Sequence, residues 1–146
     1  MTSRAMIDEF FAQEQLALMR ASRKAKVLGC KIDKELIAKG HGVSVLYLDE
    51  DEPGSRLMDL QPPATGLMIA VPSAQTEAAV QEAIKAKIQR VWIQEGSESQ
   101  AALKLCEAHD IALIHGECIL MFAEPVKSFH AFHRWIWKLL GKLPKE

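Results

Sequence analysis

Basic residues crowd the segment that follows the first short apolar run of the chain. The run is Leu16–Met19, and the segment from 20 to 34 carries six cations and one acid, Asp33. Cations beside free backbone N–H groups at the start of a helix bind phosphate in many proteins. The segment is therefore a candidate phosphate site, although a solvated loop and helix face explains the same charges. The cations are Arg20, Arg23, Lys24, Lys26, Lys31 and Lys34.

A turn-forming stretch follows the apolar run Gly66–Val71. Pro72 fixes its own φ and offers a flat apolar surface, and Ser73 comes directly after it. Thr76 is predicted to cap a helix over Glu77–Lys87, whose first backbone N–H groups suit an anion. An ordinary strand exit followed by a capped helix has the same sequence, so this stretch alone is a weak indication of a site.

A second such junction follows the apolar run Arg90–Gln94. Gly96 comes next, and Ser97 is predicted to cap a helix that ends at His109 and has Glu98 in its first turn. Trp92 lies inside the apolar run and is expected to be a core residue rather than a stacking surface for a ligand. Gln94 and Gly96 would line any crevice at this end of the strand.

Short apolar runs alternate with longer amphipathic stretches along the chain, which is typical of parallel strands joined by right-handed crossover helices. The runs are apolar throughout, as expected when helices cover both faces of a sheet. The sequence therefore predicts a three-layer α/β sandwich with five parallel strands. The predicted strands are Leu16–Met19, Val43–Leu48, Gly66–Val71, Arg90–Gln94 and Ile111–His115, and the predicted helices are Ser3–Gln13, Ile32–Lys39, Glu77–Lys87, Ser97–His109 and Phe129–Leu140.

Composition restricts the class of protein. The 146 residues fit a single domain over 1–146, and the net charge is -1. That balance argues against a nucleic-acid binder, which needs a surplus of cations. No apolar run reaches the roughly 18 residues of a membrane span, and the first residues lack the apolar core of a signal peptide. A cytoplasmic location is therefore expected.

The cysteines and the terminal segment suggest no catalytic or metal centre. No two cysteines have the C-x-x-C spacing of a zinc or redox site. Cys118 is expected to be a small packed thiol, and a nucleophile with His115 as its base is the alternative. Phe129–Leu140 is predicted to be an aromatic-rich helix that packs on the sheet or against a second copy of the chain. His130 and His133 lie one turn apart there, but two ligands without a third do not predict a metal site.

The first junction lacks the glycine pattern of a dinucleotide site. G-x-G-x-x-G is expected directly after the first strand, and Gly29 is the only glycine between 19 and 29. Asp49, at the end of the second predicted strand, is the kind of acid that binds a ribose. An NAD(P)-binding protein is therefore the least favoured interpretation.

Taken together, these junctions resemble the CoA-binding domain family, small relatives of the nucleotide-binding domain of succinyl-CoA synthetase. The resemblance covers residues 8 to 122. It depends on Ala21-Ser22-Arg23-Lys24 after the first strand, Val71-Pro72 after the third, Gln94-Glu95-Gly96-Ser97 after the fourth, and Cys118-Ile119-Leu120-Met121 after the fifth.

The resemblance implies a Rossmann-like strand order and a non-catalytic or regulatory module that holds coenzyme A (CoA) or an acyl-CoA at the carboxyl ends of the strands. It also adds a disulfide with the CoA thiol to the alternatives for Cys118. Arg20 replaces a glycine of the family, and it could block the site or pair with a phosphate. Together with the acidic run 49–52, where the family has Asn-Pro, Arg20 supports the alternative of a degenerate member that acts as an interaction protein. The residues implied to hold CoA are Arg20, Ala21, Ser22, Arg23, Lys24, Lys26, Val71, Pro72, Ser73, Thr76, Gln94 and Gly96.

Overall fold

The computed structural model describes residues 3–22, 43–50 and 54–119. Within these ranges the chain alternates between helices and strands, as the sequence predicts. Most of the basic segment 20–34 and the predicted helices Ile32–Lys39 and Phe129–Leu140 lie outside the described residues. The helices are α1 (Arg4–Phe11), α2 (Ser73–Lys85) and α3 (Gln100–Ala108), with a short 3₁₀ turn at Leu57–Asp59, and the strands are β1 (Leu16–Arg20), β2 (Val43–Tyr47), β3 (Gly66–Ala70), β4 (Arg90–Gln94) and β5 (Ala112–Glu117).

The five strands form one parallel sheet in the order β2-β1-β3-β4-β5. The predicted class, a Rossmann-like α/β fold with five parallel strands, is confirmed. The chain runs outward from β1 in one direction to β2 and in the other direction from β3 to β5. The order therefore reverses between β1 and β3, and in open α/β sheets ligands bind beyond the carboxyl ends of the strands at such a reversal.

Helices cover both faces of the sheet, and each face has its own apolar core. Ala79 of α2 and Cys106 of α3 pack on one face, and Ile7 and Phe10 of α1 pack on the other. Trp92 is fully buried under α1 and meets the edge of the Phe10 ring, with the ring centroids 5.5 Å apart. The expectation that Trp92 is a core residue is therefore confirmed.

The start of α2 differs from the prediction. The helix begins at Ser73, directly after Pro72, so the expectation that Thr76 caps it is wrong. Pro72, with an extended ψ of 141°, is the residue that immediately precedes the helix. The N-cap position is therefore already occupied four residues before Thr76. Thr76 therefore lies in the first turn, where it is fully buried.

The start of α3 also differs from the prediction. Ser99, not Ser97, caps this helix, and its side chain accepts a hydrogen bond from the Ala102 N–H at 3.1 Å. Glu98 lies before the helix rather than in its first turn, because its carboxylate is bonded to two backbone N–H groups elsewhere. Ser3 caps α1, and its side chain accepts a hydrogen bond from the Met6 N–H at 3.3 Å.

Across the described ranges, none of the helices has the length and apolarity needed to cross a bilayer.

Candidate ligand site at the carboxyl edge

One row of side chains crosses all five strands at the carboxyl edge of the sheet. Arg20 of β1 pairs with Tyr47 of β2 on one side and with Ala70 of β3 on the other. The register of β3 and β4 continues the row to Gln94, which pairs with Glu117 of β5. Ala70 belongs to the core under α1, so the row lies on that face. A cation, a phenol, an amide and a carboxyl therefore share one edge, with the small Ala70 in the middle.

Arg20 is packed into this edge rather than extended into solvent. It is 6 % exposed, and its Cζ atom lies 5.9 Å from the centroid of the Tyr47 ring, within reach of a cation–π interaction. Its carbonyl accepts a hydrogen bond from the Leu48 N–H at 2.9 Å, and the Ala21 carbonyl accepts from Asp49 at 3.2 Å. The exits of β1 and β2 therefore run side by side, and Asp49 lies next to the start of the basic segment.

Only the first residues of the candidate phosphate site lie within the part of the chain that the structure describes. Ala21 and Ser22 are half-buried and follow β1 directly. Arg23, Lys24 and Lys26 lie outside the described residues. Their role in phosphate binding therefore stays a prediction.

The exits of β3 and β4 are tied together by Thr76. Its hydroxyl donates a hydrogen bond to the carbonyl of Ser97 on the β4 exit. Val71 is fully buried beside it, whereas Pro72 and Ser73 are exposed. Pro72 and Ser73 are therefore accessible at the edge, whereas Val71 and Thr76 are buried beneath it.

Gln94 holds the segment that follows β5. It is 7 % exposed; its Oε1 accepts from the Ile119 N–H at 2.9 Å, and its Nε2 donates to Cys118 Sγ at 3.3 Å. Both ends of the amide therefore have partners within the protein. Sequence reasoning assigned Gln94 to the ligand, but it could not detect this contact because the partners are 24 and 25 residues away.

Glu98 joins the exits of β4 and β5. Its Oε2 accepts from the Gly96 N–H at 2.7 Å, and its Oε1 accepts from the Gly116 N–H at 2.9 Å. Both glycines have positive φ, 91° at Gly96 and 74° at Gly116, a conformation that side chains disfavour. Gly116 belongs to an irregularity in which β5 has one more residue than β4. The bend brings its N–H to the carboxylate.

Glu117 is a buried acid that sequence reasoning missed. It is 8 % exposed, and burial, followed by the nearby charge of Glu95, raises the pKa of its carboxyl from 4.5 to about 7. Its carbonyl accepts from the Trp92 indole N–H at 3.1 Å. Its Oε2 atom is buried and has no hydrogen-bond partner within the described ranges. The available signal was an acid two residues beyond the predicted strand Ile111–His115.

The two described cysteines lie in different environments. Cys118 packs against the core under α1, as expected for a packed thiol, but it is half-buried rather than fully buried, and its sulfur is bonded to Gln94. His115 is exposed, and no hydrogen bond joins it to Cys118 in the described part of the chain. Cys106 is buried on α3, and burial raises the pKa of its thiol to about 11. Among the described residues, no group of three His, Cys, Asp or Glu side chains could hold a metal ion.

A cavity of about 340 Å³ lies beside the β2 exit, between that strand, the 3₁₀ turn and α2. Its walls combine apolar side chains with charged groups of both signs. Two of these charged side chains form an ion pair with each other: Lys85 Nζ lies 3.2 Å from Glu82 Oε1. The lining includes Met19, Tyr47, Leu57, Arg56, Glu82 and Lys85.

Comparison with known proteins supports the fold and gives a family match. A family model described as a CoA binding domain matches residues 15–124. Among curated proteins, none matches the chain. A conserved hypothetical protein from Pyrococcus furiosus is 25 % identical, with a TM-score of 0.61 over 72 % of this chain and 95 % of its own.

Two further solved structures share the fold at lower identity. Prb, the PH1109 protein redesigned for binding, is 18 % identical, with a TM-score of 0.70 over 88 % of this chain and 96 % of its own. A hypothetical protein from Pyrococcus horikoshii OT3 is 19 % identical, with a TM-score of 0.70 over 86 % and 92 %.

Proposed function

This chain belongs to the CoA-binding domain family, and from that premise we propose that it binds coenzyme A or an acyl-CoA at the carboxyl edge of its sheet. The protein acts as a non-catalytic or regulatory module. Its ligand is held where the exits of β1, β3 and β4 approach one another. The switch point between β1 and β3 is the observation that carries the proposal, because it opens the crevice that ligands use in this fold.

The chemistry of the edge fits both the phosphates and the less polar parts of CoA. The basic segment that begins at Arg20 supplies charges for the phosphates, and Arg23, Lys24 and Lys26 are the cations proposed to contact them. Pro72 and Ser73, which are exposed beside the switch point, supply a flat apolar surface and the start of α2. Ala21, Ser22 and Gly96 complete the wall with small groups that let a ligand approach the backbone.

Isothermal titration calorimetry tests this proposal. We expect heat of binding with CoA and acetyl-CoA, and little or none with NAD, NADP or ATP at the same concentration. Arg23→Ala should weaken CoA binding about tenfold, since it removes one phosphate contact. Lys104→Ala is the matched control, because it removes an exposed cation from α3, far from the basic segment in the sequence.

Two results would overturn the proposal. Absence of heat with CoA at millimolar concentration would favour the interaction-protein alternative, and binding of NAD in place of CoA would favour a dinucleotide protein. Arg20→Gly then gives a further comparison, because it restores the glycine of the family next to the crevice. A gain in CoA affinity in this variant would mean that the Arg20 side chain restricts the site.

A further inference from the structure

The exit of β5, defined here as residues 116–119, begins with a bend. The pairing of β4 with β5 is irregular between Trp92 and Gln94, so the exit leaves the register that the earlier residues of β5 keep. Gly116 has a φ of 74°, and the place where a Cβ atom would stand has no other atom within 4 Å. The exit is therefore joined to the regular part of β5 by a bend with open space beside it, which are the features of a hinge.

The exit is held in place by hydrogen bonds to β4 and to the turn before α3. These bonds join the Gly116 N–H to Glu98 Oε1 at 2.9 Å, the Ile119 N–H to Gln94 Oε1 at 2.9 Å, the Glu95 N–H to the Glu117 carbonyl at 3.2 Å, and the Trp92 indole N–H to the same carbonyl at 3.1 Å. Most of them use a side chain on one side. They can break while the helices and the rest of the sheet stay folded, which is the condition for local opening.

A buried carboxyl lies in the middle of this exit. Glu117 is more than nine-tenths buried, and its Oε2 has no hydrogen-bond partner within the described ranges. An ionised carboxyl at this position lacks both water and a donor, so ionisation is costly while the exit stays closed. Burial, followed by the nearby charge of Glu95, accordingly raises the pKa of Glu117 from 4.5 to about 7.

The charged groups of the surrounding elements do not offset this cost. Among the described residues, the charge that acts on Glu117 is that of Glu95, which has the same sign. The other titratable groups of these elements are Glu98 in the turn before α3, His115 and Cys118 beside Glu117 in the chain, the ion pairs Arg4–Asp8 and Glu9–Arg90 that involve α1, and Arg20, which is three strands away on β1. Ionisation of Glu117 therefore leaves a negative charge that the closed exit does not compensate.

We propose that ionisation of Glu117 releases the exit of β5 from β4, so that this end of the carboxyl edge is closed while the carboxyl is protonated and opens as pH rises. In the open form the carboxylate is stabilised by water, whereas the neutral acid tolerates burial. The equilibrium constant for opening therefore rises with pH between 4.5 and about 7, the pKa values of the exposed and buried carboxyl, and is constant above that range. This inference concerns the chain without a ligand, so it does not depend on the proposed function.

Native-state hydrogen exchange of the full chain, followed by NMR, tests the release. Protection factors, which remove the intrinsic pH dependence of exchange, are compared at the Gly116 and Ile119 amides and at Met68 in the centre of the sheet. We expect protection at the exit to fall at least about tenfold between roughly pH 5.5 and roughly pH 7.5. Urea too dilute to unfold the chain should reduce protection at Met68 but barely change it at the exit, because local opening exposes little surface.

Variants assign the pH dependence to one carboxyl. Glu117→Gln should keep the same protection at both pH values, because its amide does not ionise. Glu95→Gln should retain a weaker pH dependence, since burial, the larger cause of the raised pKa, remains. Glu107→Gln is the matched control: it removes an exposed acid on α3 and should behave like the natural chain.

Two results would overturn the inference. If protection at Gly116 and Ile119 matches that at Met68 at every pH and urea concentration, the exit opens only when the whole chain unfolds. If the pH dependence at the exit persists in a folded Glu117→Gln variant, another group controls it. The first comparison uses the natural chain, so it decides the matter even if Glu117→Gln does not fold.

Discussion

Glu117 shows how one buried carboxyl links the candidate site to the stability of the fold. Its pKa of about 7 lies above the ordinary value of 4.5 because burial disfavours the charged form and Glu95 repels it. Between these two pH values, the folded chain retains a proton that the unfolded chain has released. The free energy of unfolding therefore falls as pH rises through this window, and the stabilisation present at low pH is lost above about pH 7.

Replacing this carboxyl should remove that pH dependence. Glu117→Gln is expected to be more stable than the natural chain by about 1–3 kcal/mol at roughly pH 8, and by much less at roughly pH 5. Urea unfolding of both proteins at the two pH values measures the difference. Glu95→Gln is the matched control: it removes only the second cause, so it should recover a small part of the gain. An equal difference between Glu117→Gln and the natural chain at both pH values would contradict the raised pKa.

Gln94 is expected to stabilise the fold through the segment after β5. Gln94→Ala leaves the buried Ile119 N–H without its acceptor and should lower the free energy of unfolding by about 1–3 kcal/mol. Gln81→Ala, which truncates an exposed glutamine on α2, should change it by less than about 0.5 kcal/mol. Urea titration of both variants gives the comparison, and equal losses would mean that the Gln94 hydrogen bonds contribute nothing specific.

Among the elements, the exits of neighbouring strands are held together by side-chain hydrogen bonds to the backbone. Thr76 ties β3 to β4, and Glu98 ties β4 to β5. A carboxylate that accepts two backbone N–H groups forms charge-assisted bonds, which are stronger than neutral ones. These hydrogen bonds within the chain fix the exits of β3, β4 and β5 relative to one another.

Loss of the Glu98 carboxylate should weaken the connection between the exits of β4 and β5. Glu98→Ala is expected to reduce the free energy of unfolding by about 1–3 kcal/mol, since the Gly96 and Gly116 N–H groups lose their acceptor. Glu107→Ala, at an exposed position on α3, is the control and should have little effect. Hydrogen exchange at the two glycine amides gives a local measurement. Unchanged protection there would show that another group, not Glu98, holds the turn.

The strands were more predictable than the starts of the helices. A strand run is defined by its own apolar residues, so the observed strand limits differ from the predicted ones by no more than two residues. The start of a helix depends on which polar side chain satisfies its first N–H groups. Thr76 and Ser97 both have the composition of a cap, but Thr76 bonds the Ser97 carbonyl, 21 residues away, and neither caps a helix. Local sequence cannot detect a bond across that separation.

At the scale of the whole molecule, the alternation of elements predicted a parallel sheet but not its strand order. The order β2-β1-β3-β4-β5 places Arg20, Gln94 and Glu117 along one edge, although 97 residues separate the first from the last. The sequence predicted that strand exits would meet, because carboxyl ends of parallel strands share an edge. It did not reveal the buried acid, since a glutamate in a short strand is equally compatible with a solvent-exposed position.

Binding of CoA at the carboxyl edge of the sheet can be located residue by residue by NMR titration of the isotope-labelled chain with CoA. We predict that the amide signals that move most belong to the strand exits, among them Ser22, Ser73 and Gly96. Amides at the opposite edge, such as Gln89 and His109, should move little. Shifts concentrated at Gln89 and His109, or no shifts at millimolar CoA, would rule out binding at the carboxyl edge.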